Sequence, residues 1–298
     1  MNADEAAFHY IDEYSRMAET YDRHVRPRFE PIARRLVELL APKAGERVLE
    51  IGAGTGNATL PIAGRVGPAG LVAAIDAAEG QLRVLQRRAA EAGLGNIHQE
   101  PMDAGHILYP RNVFDAATSN LGFPLLRWRQ AVAETFRVLR DGGRFVFSGW
   151  DGIADWVGAC AEAQKPHLAM SPSPRLLELR EAVQVLRSCP ERDELSTPAT
   201  VEQGLEKAGF TAVRTVRETI RPGFEGVGAF LGFRCAWGYD EMEWREMPPS
   251  AQAAFTADLE KTFRALYGGF EALEFRLYFT AARREGTVRA ISLNDPSG

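Results

Sequence analysis

Cysteine is scarce in this chain of 298 residues, which contains only Cys160, Cys189 and Cys235. These cysteines are odd in number, lie far apart and form no Cys-x-x-Cys pair, so the pattern argues against a disulfide framework. A chain of this length can bury enough apolar surface to fold without disulfides. We therefore expect the thiols to be small buried side chains in a protein of the reducing cytoplasm.

An excess of positive charge and a long hydrophobic run are also absent. The formal net charge is −5 and the isoelectric point is near 5.7, which argues against a nucleic-acid partner, because phosphate binding requires a basic surface. No stretch of about 18 apolar residues is present, so we expect no transmembrane segment. The acidic start, Met1-Asn2-Ala3-Asp4-Glu5, lacks the order of a signal peptide. The composition indicates a cytoplasmic globular protein and leaves open whether it is a monomer or a homodimer.

A glycine-rich segment follows a short apolar strand. Residues 48–51, Val-Leu-Glu-Ile, continue into Gly52-x-Gly54-x-Gly56 and then into a predicted helix. Glycines at alternate positions let a ligand lie directly against the backbone, and the helix offers its first amide groups to that ligand. The segment alone also fits a tight strand-to-helix turn. However, Asp76 ends the next apolar run, where a βαβ unit places a ribose-binding carboxylate, so the two features together predict a nucleoside cofactor site.

The spacing of the glycines distinguishes between cofactors. Dinucleotide sites use Gly-x-Gly-x-x-Gly, because the amino end of the helix must contact a pyrophosphate. This chain has one residue fewer between its second and third glycines, and Glu50 stands before the first. A carboxylate there would repel a pyrophosphate but suits a ligand with an ammonium and a sulfonium. The spacing therefore disfavours a nicotinamide cofactor.

Further motifs extend along the chain. They are Met102-Asp103-Ala104, the run Val-Phe-Asp-Ala-Ala-Thr-Ser-Asn at 113–120, the segment 136–146 with its Asp-Gly-Gly turn, and residues 206–213. Together with the glycine segment they resemble the class I S-adenosylmethionine-dependent methyltransferases. The chain is most similar to the bacterial small-molecule branch related to ubiquinone and menaquinone methyltransferases. The resemblance covers residues 14–150 well and 197–285 loosely, and it implies S-adenosyl-L-methionine as cofactor and S-adenosyl-L-homocysteine as product.

We expect the glycines to allow close backbone approach and Asp76 to bind the ribose hydroxyls. The resemblance implies that Glu50 favours the methionine ammonium and that Asp103 takes the adenine amino group, although Asp103 also fits a helix N-cap. Gln81 stands where the family often has an apolar residue against adenine, and Asn120 is expected near the methionine moiety. The full set of expected cofactor-binding residues is Tyr21, Glu50, Gly52, Ala53, Gly54, Gly56, Asn57, Asp76, Ala77, Gln81, Met102, Asp103, Ala104 and Asn120.

Aromatic residues give the only indication of the methyl acceptor. If several of them face the crevice, the acceptor is fairly large and apolar, such as a polyketide, terpenoid or quinone-like molecule. Ordinary core packing explains them equally well. The candidates for acceptor contact are Tyr10, Tyr14, Phe123, Trp150, Trp156 and Trp237.

No motif identifies a general base. His9, His24 and His167 are candidates by position, but each fits a structural role better. Asp151 and Asp155 could share a helix face, but without histidine or further carboxylate partners they make a poor metal site, and we predict no metal.

Strands predicted near 46–51, 71–75, 96–100, 113–119 and 143–149 alternate with helices near 57–66, 78–92 and 127–140. This alternation predicts an α/β fold with parallel strands and a crevice at their carboxyl ends. With strands near 211–220 and 273–283, we expect a Rossmann-like, doubly wound, seven-stranded, mostly parallel sheet with helical cap insertions. The last strand is expected to alternate, with Leu273, Phe275, Leu277 and Phe279 on one face and Glu274, Arg276, Tyr278 and Thr280 on the other.

We expect five regions along the chain. Residues 1–42 form amino-terminal helices, including one over 5–22, that cover the cofactor site, and residues 43–150 form the cofactor-binding core. Residues 151–196 form a helical cap insertion, 197–285 complete the sheet with a second helical insertion, and 286–298 form a frayed tail.

The sequence thus predicts an enzyme, an S-adenosylmethionine-dependent methyltransferase that acts on oxygen or carbon of an apolar small molecule. Two alternatives remain. One is a methyltransferase-fold protein that binds cofactor and small molecule without methyl transfer, and the other is a nicotinamide-dependent oxidoreductase.

Overall fold

Twelve helices and seven strands make up the described part of the chain, which a computed structural model gives as residues 1–123, 127–152, 154–189, 195, 197–236 and 240–285. The amino-terminal half contains α1 (Ala3–Arg16), α2 (Ala18–His24), α3 (Arg26–Leu40), β1 (Arg47–Ile51), α4 (Thr59–Val66), β2 (Leu71–Asp76), α5 (Glu79–Glu91), β3 (Ile97–Pro101), β4 (Phe114–Asn120), α6 (Trp128–Val138) and β5 (Leu139–Trp150). The remainder contains α7 (Asp155–Gln164), a 3₁₀ turn (Lys165–His167), α8 (Pro174–Arg187), α9 (Pro198–Lys207), β6 (Thr211–Ile220), α10 (Val227–Arg234), α11 (Asp240–Glu246), α12 (Pro249–Tyr267) and β7 (Phe275–Arg283).

The strands form one seven-stranded sheet in the order β3-β2-β1-β4-β5-β7-β6. The pairs β1–β2, β2–β3, β1–β4 and β4–β5 are parallel, whereas β7 runs antiparallel to β5 and β6. The expected Rossmann-like sheet is confirmed. Its strand order reverses between β1 and β4, and ligands of such sheets bind at the carboxyl ends of the strands beside this switch point.

Helices cover both faces of the sheet. On one face Val48, Val72, Ala116 and Val146 pack with side chains of α3, α4, α7, α10 and α12. On the other face Leu49, Ala73, Ala117 and Phe145 pack with α6 and α9. Strands buried on both faces are hydrophobic throughout, which is why the central strands read as apolar runs.

The last strand does not alternate as expected. Tyr278 and Thr280, predicted to lie on a polar face, are 1% and 0% exposed. The Tyr278 hydroxyl donates to the Leu195 carbonyl at 3.1 Å, and the Thr280 hydroxyl bonds Thr215. The prediction was wrong because β7 lies between β5 and β6, where both faces of the sheet are covered.

The predicted helix over 5–22 is in fact two helices. The chain bends at Met17, which is the carboxyl-terminal cap of α1 and the amino-terminal cap of α2. Met17 and Ala18 are buried at 5% and 4% exposure. The bend lets α1 pack on α5 and α8 while α2 packs on α3 and α5.

The predicted cap insertions differ in how they are attached. Trp156 of α7, Phe230 of α10 and Phe263 of α12 belong to the same buried cluster as β7 and α3. In contrast, α8 packs mainly on α1, and Arg175 of α8 is linked to Asp12 of α1 by a bond of 2.8 Å.

The expected tail, 286–298, lies outside the described residues. Within the described part of the chain, no helix has the length and hydropathy needed to cross a membrane.

Candidate active site

The glycine loop after β1 has the left-handed backbone that glycine favours. The φ angles of Gly52, Gly54 and Gly56 are 66°, 55° and 92°. A Cβ at Gly52 would lie 2.9 Å from Cα of Gly122, so the loops after β1 and β4 touch through their backbones. A Cβ at Gly54 would meet nothing nearer than Gln81 Oε1 at 3.9 Å, which leaves room for a ligand against the backbone there.

Gly56 and Asn57 face away from that space. A Cβ at Gly56 would lie 2.4 Å from Leu85, so the missing side chain makes room for α5 and not for a ligand. Asn57 Nδ2 donates to the Arg26 carbonyl at 3.0 Å, and the side chain lines an outer cleft of about 290 Å³ beside α3 and α4. The side-chain positions of both residues therefore point away from the space beside Gly54, and only their backbone could contact a ligand there.

Asp76 ends β2 and closes one side of the space beside Gly54. Its two carboxylate oxygens accept hydrogen bonds from the Gly54 amide at 2.8 Å and the Ala78 amide at 2.8 Å. Burial raises the pKa of Asp76, although these two bonds oppose the rise. The side chain is nevertheless half-buried. The carboxylate therefore keeps accessible surface beside Gly54.

Glu50 lies on β1 directly before the loop and is 1% exposed. Its Oε2 accepts a hydrogen bond of 2.5 Å from the Thr59 hydroxyl in the first turn of α4. Burial raises the pKa of Glu50 to about 8, with the Asp76 charge adding to the rise. Because a buried carboxylate is costly without a cationic partner, the arrangement favours a ligand that brings a cation.

Helix α1 sits on the amino end of α5, just beyond Asp76. The Gly80 amide donates to Ser15 Oγ at 2.9 Å, and Gln81 Nε2 donates to the Tyr14 carbonyl at 2.9 Å. A Cβ at Gly80 would lie 2.0 Å from the Ser15 carbonyl oxygen. Gln81 Oε1 is buried and has no hydrogen-bond partner among the described residues. An unmade bond at a buried acceptor is costly, which again indicates a ligand with donor groups.

The remaining expected cofactor residues lie along the same edge of the sheet. Met102 and Ala104, after β3, are buried, whereas Asp103 is exposed and its Oδ1 accepts from the Gly105 amide at 2.8 Å. No helix begins there, so Asp103 is not a helix cap. Asn120 ends β4, where its Oδ1 accepts from the Ser148 hydroxyl at 3.1 Å. Ala53 and Ala77 flank Gly54 and Asp76.

An aromatic wall, defined here as Trp150, Phe29, Tyr21, Tyr14 and Tyr10, extends from the end of β5 across α3 and α2 to α1. Successive ring centroids along it are 5.9, 6.5, 6.0 and 5.1 Å apart, and the rings meet edge to face. Burial raises the pKa of Tyr21, and the Asp76 charge adds to the rise. The middle ring of the wall, Tyr21, therefore lies closest to Asp76. The structure brings three of the expected acceptor residues, Trp150, Tyr14 and Tyr10, together in this wall.

Two other expected acceptor residues belong to the core. Phe123 is fully buried against Phe145 and Phe147. Trp156 packs on Phe230 and donates its indole N–H to the Glu274 carbonyl at 3.1 Å. Their position after a strand end gave no information on the direction of the side chains, and both point into the hydrophobic core. Trp237 lies outside the described residues.

The candidate histidines are held in structural contacts. His9 Nδ1 lies 3.0 Å from Arg175, and His167 Nε2 lies 2.8 Å from Asp258 on α12. His24 packs against Gly232, and burial lowers its pKa. None of these contacts involves Glu50 or Asp76. Among the residues that the structure describes, no group of three or more His, Cys, Asp or Glu side chains could hold a metal ion.

Sequence reasoning missed three residues of this site. Thr59 holds Glu50, Ser15 seats α1 on Gly80, and Phe29 completes the aromatic wall. Thr59 could have been found, since it lies in the first helical turn after the glycine loop. Ser15 could not, because its contact depends on how α1 docks.

A model of the methyltransferase domain matches residues 48–143. A nocamycin O-methyltransferase of Saccharothrix syringae is 30% identical over 266 residues, which cover 86% of this chain and 91% of that protein. The chain belongs to the S-adenosylmethionine-dependent methyltransferases. The aklanonic acid methyltransferase of a Streptomyces species is 37% identical over 45% of this chain and 62% of that protein. A ubiquinone/menaquinone biosynthesis C-methyltransferase of Pseudomonas fluorescens is 36% identical over 37% of this chain and 44% of that protein.

A solved structure shares the fold of this methyltransferase. The phosphoethanolamine N-methyltransferase of Haemonchus contortus, in complex with S-adenosylhomocysteine, superposes with a TM-score of 0.53 at 17% identity. The match covers 86% of this chain and 53% of that one. This superposition confirms the fold. The domain match and the similar methyltransferases confirm the resemblance to the small-molecule branch and the expected enzyme class, and S-adenosyl-L-methionine is the cofactor.

Proposed function

We propose that this methyltransferase methylates oxygen or carbon of a largely apolar small molecule, either a secondary metabolite or a quinone-like compound. The observation that carries the proposal is the pair of carboxyl groups, Glu50 and Asp76, that flanks the open backbone at Gly54 and adjoins the aromatic wall. The names of the relatives support an acceptor of this kind. We also propose that the enzyme acts in the cytoplasm as a monomer or homodimer, without nucleic acid, as its acidic composition favours.

The residues beside Gly54 fit the cofactor group by group. We propose that the Asp76 carboxylate accepts the ribose hydroxyls and that Glu50, held by Thr59, pairs with the methionine ammonium. Gln81 Oε1 supplies a buried acceptor for a ligand N–H or O–H, and Asp103 remains exposed for the adenine amino group. We place the Ala104 amide and Asn120 at the adenine and methionine ends. The roles of Glu50, Asp103 and Ala104 are those that the resemblance to the family implies, and the donor and acceptor groups of these residues are compatible with them.

When bound, S-adenosyl-L-methionine supplies an electrophilic methyl group on a sulfonium. The chain's own residues have to hold the acceptor in line and exclude water. We call the residues Glu50, Gly54, Asp76 and Gln81 the cradle. Tyr21 lies close to Asp76 of the cradle, and Tyr14 and Tyr10 continue from it, so we place a flat apolar acceptor against these rings. Seating α1 on Gly80 closes that side of the cradle to solvent.

Product mass tests the proposal. The enzyme is incubated with S-adenosyl-L-methionine and a panel of polyketide, terpenoid and quinone acceptors, and products are separated by mass spectrometry. We expect an acceptor that gains one methylene equivalent while S-adenosyl-L-homocysteine accumulates. If the enzyme binds cofactor and acceptor and returns the acceptor with its mass unchanged or rearranged, the protein is a non-methylating member of the fold. If it binds NAD and not S-adenosylhomocysteine, the oxidoreductase alternative is correct.

A further inference from the structure

The outer cleft of about 290 Å³ beside α3 and α4 also borders α5. Its volume lies at the lower end of the range of small-molecule sites, about 300–1,000 Å³, so it suits a small ligand. The cleft lies on the side of the glycine loop where Gly56 and Asn57 are found, and none of the cradle residues lines it. It is therefore a site separate from the cofactor space.

Arginine side chains from three helices line this cleft. Arg26 and Arg34 come from α3, Arg65 from α4 and Arg88 from α5. Glu30 is the one acidic residue among the described residues of the lining. The side chains of Arg26 and Arg88 are only 27% and 18% exposed. Because charges of one sign in a concave site focus the electrostatic potential there, the lining predicts an anion as the ligand.

Two carboxylates offset part of this charge. Asp22 Oδ1 of α2 lies 3.0 Å from Arg26 Nε and 3.5 Å from Arg88 Nη1, so one oxygen holds both guanidinium groups together. Glu30 Oε2 lies 3.9 Å from Arg26 Nη1. Burial lowers the pKa of Arg88 and the Arg26 charge adds to the fall, although nearby carboxylates oppose it. Four guanidinium groups against two carboxylates leave a net charge of +2 at the cleft.

Other carboxylates on the same helices are paired outside the cleft. Glu91 of α5 pairs with Arg87 at 3.8 Å, and Glu38 of α3 pairs with Arg35 at 3.4 Å. Neither pair lines the cleft. The Glu91 charge also acts on Arg88, but more weakly than the two carboxylates above. These neutral pairs therefore leave the excess of positive charge in place.

Arg34 and Arg65 carry this excess. Arg34 is exposed on α3 and forms no ion pair in the part of the chain that the structure describes. Arg65 donates to the Val37 carbonyl at 2.9 Å, which is an uncharged partner, and it too lacks a carboxylate partner among those residues. A phosphate group can accept bonds from several guanidinium groups at once, and such charge-assisted bonds are about twice as strong as neutral ones.

We infer that the outer cleft binds a phosphate or diphosphate group of a small molecule. Arg34 and Arg65 bind its oxygens from two different helices, and Arg26 and Arg88 add positive charge. S-adenosyl-L-methionine carries no phosphate, and the two carboxyl groups of the cradle disfavour an anion there, so the phosphate belongs to a second ligand. The inference goes beyond the proposed function and does not depend on the methyl acceptor.

Calorimetric titration with inorganic diphosphate tests the inference. The protein is saturated with S-adenosylhomocysteine, which occupies the cradle, and a chelator removes divalent cations. We expect the wild type to bind diphosphate with a Kd below about 1 mM. Arg34→Gln and Arg65→Gln should each raise this Kd about tenfold, because each change removes one charge-assisted bond. Arg34→Lys, which keeps the charge, should raise it less.

Arg111→Gln is the matched control, because Arg111 is also exposed, forms no ion pair within the described residues and does not line the cleft. It should bind diphosphate as the wild type does. The affinity for S-adenosylhomocysteine, measured first for each variant, should equal that of the wild type and shows that the fold is kept. A wild-type Kd above about 1 mM overturns the inference. Unchanged affinity in both Arg34→Gln and Arg65→Gln, or equal weakening by Arg111→Gln and Arg34→Gln, also overturns it.

Titration with ADP in the same way distinguishes the sources of the phosphate group. Binding at least as tight as that of inorganic diphosphate supports the site and indicates a nucleotide. Weaker binding also supports the site and indicates free diphosphate or a smaller phosphate ester. Failure of the proposed function would instead appear as the absence of a methylated acceptor, which leaves the affinity for diphosphate unaffected.

Discussion

At the scale of single residues, Glu50 is the group whose state depends most on its surroundings. It is buried beside Asp76 and held by Thr59, and its pKa is raised to about 8. The free carboxyl group is therefore mostly neutral at pH 7, and a bound ammonium would favour its ionised form. Cofactor binding should release a proton at neutral pH for this reason.

The first prediction concerns stability and pH. The Glu50 carboxyl ionises near its ordinary pKa of 4.5 in the unfolded chain but only near 8 in the folded chain. Its contribution to the free energy of unfolding therefore falls as the pH rises from 4.5 to 8. Glu50→Gln, which cannot ionise, should melt at a higher temperature than the wild type at pH 8 and at nearly the same temperature at pH 5. The melting temperatures are measured without cofactor. An equal difference between Glu50→Gln and the wild type at both pH values would contradict the raised pKa.

The second prediction concerns the histidines. His9, His24 and His167 contact Arg175, Gly232 and Asp258 and none of the cradle. Each change to alanine should therefore lower turnover by less than about a hundredfold, at or below the low end of general-base contributions. Steady-state kinetics with a methylated acceptor measures this. A thousandfold loss in one variant with unchanged cofactor affinity would identify that histidine as the base.

Sequence patterns located the cradle but not every side chain in it. Glu50 and Asp76 could be found because strand ends and glycine turns are local features. Phe123 and Trp156 were misplaced because the direction of a side chain after a strand depends on which helix packs there. Gly56 was assigned to backbone approach by the ligand, and only tertiary structure shows that its lack of a side chain also makes room for Leu85.

At the scale of elements, the contact between α1 and α5 decides whether the cradle is closed. Most element bounds were predictable, and β6 coincides with its expected range of 211–220. The break at Met17 was not predictable, since hydrophobic periodicity continues through it and the bend depends on how α1 and α2 pack against other helices. The burial of both faces of β7 was not predictable either. It arises because β7 pairs with β6 as well as with β5, and that pairing is set by the topology of the sheet and not by a local pattern.

The third prediction tests this contact. Gly80→Ala would place a Cβ 2.0 Å from the Ser15 carbonyl oxygen, so α1 must move off α5. Overpacking of this kind costs about 1–3 kcal/mol, and we expect the Kd for S-adenosylhomocysteine to rise about tenfold or more. Gly64→Ala is the matched control, because it also lies in a helix and meets nothing within 4 Å. Equal cofactor affinity in both variants would show that α1 does not close the cradle.

At the scale of the whole molecule, α1 and α8 stand apart from the helices of the main core, and we expect them to move as a hinged pair. Helices α7, α10 and α12 share the main core with α3 and β7. Helices α1 and α8 pack on one another and are joined by Arg175–Asp12 and by Met1–Glu181. The sequence indicated a cap but could not show this division, because both insertions are helical and similarly punctuated by glycine and proline.

The fourth prediction follows from that division. Local opening concentrates where buried apolar contacts are few. In the free enzyme, hydrogen exchange should be faster in α1 and α8 than in β5, and S-adenosylhomocysteine should slow it in α1. Helix α12 serves as the internal control and should stay protected in both states. If α1 and α8 are as protected as β5 without ligand, the hinged pair does not exist.

The most direct test of the central claim is calorimetric titration of S-adenosylhomocysteine into three proteins. We predict that the wild type binds with a Kd of tens of micromolar or tighter. We also predict that Asp76→Ala weakens binding about tenfold or more, because both the ribose acceptor and the bonds to Gly54 and Ala78 are lost. Asp258→Ala, which removes an exposed carboxylate beside His167, should bind as the wild type does. Absence of binding by the wild type, or unchanged affinity in Asp76→Ala, would contradict the account.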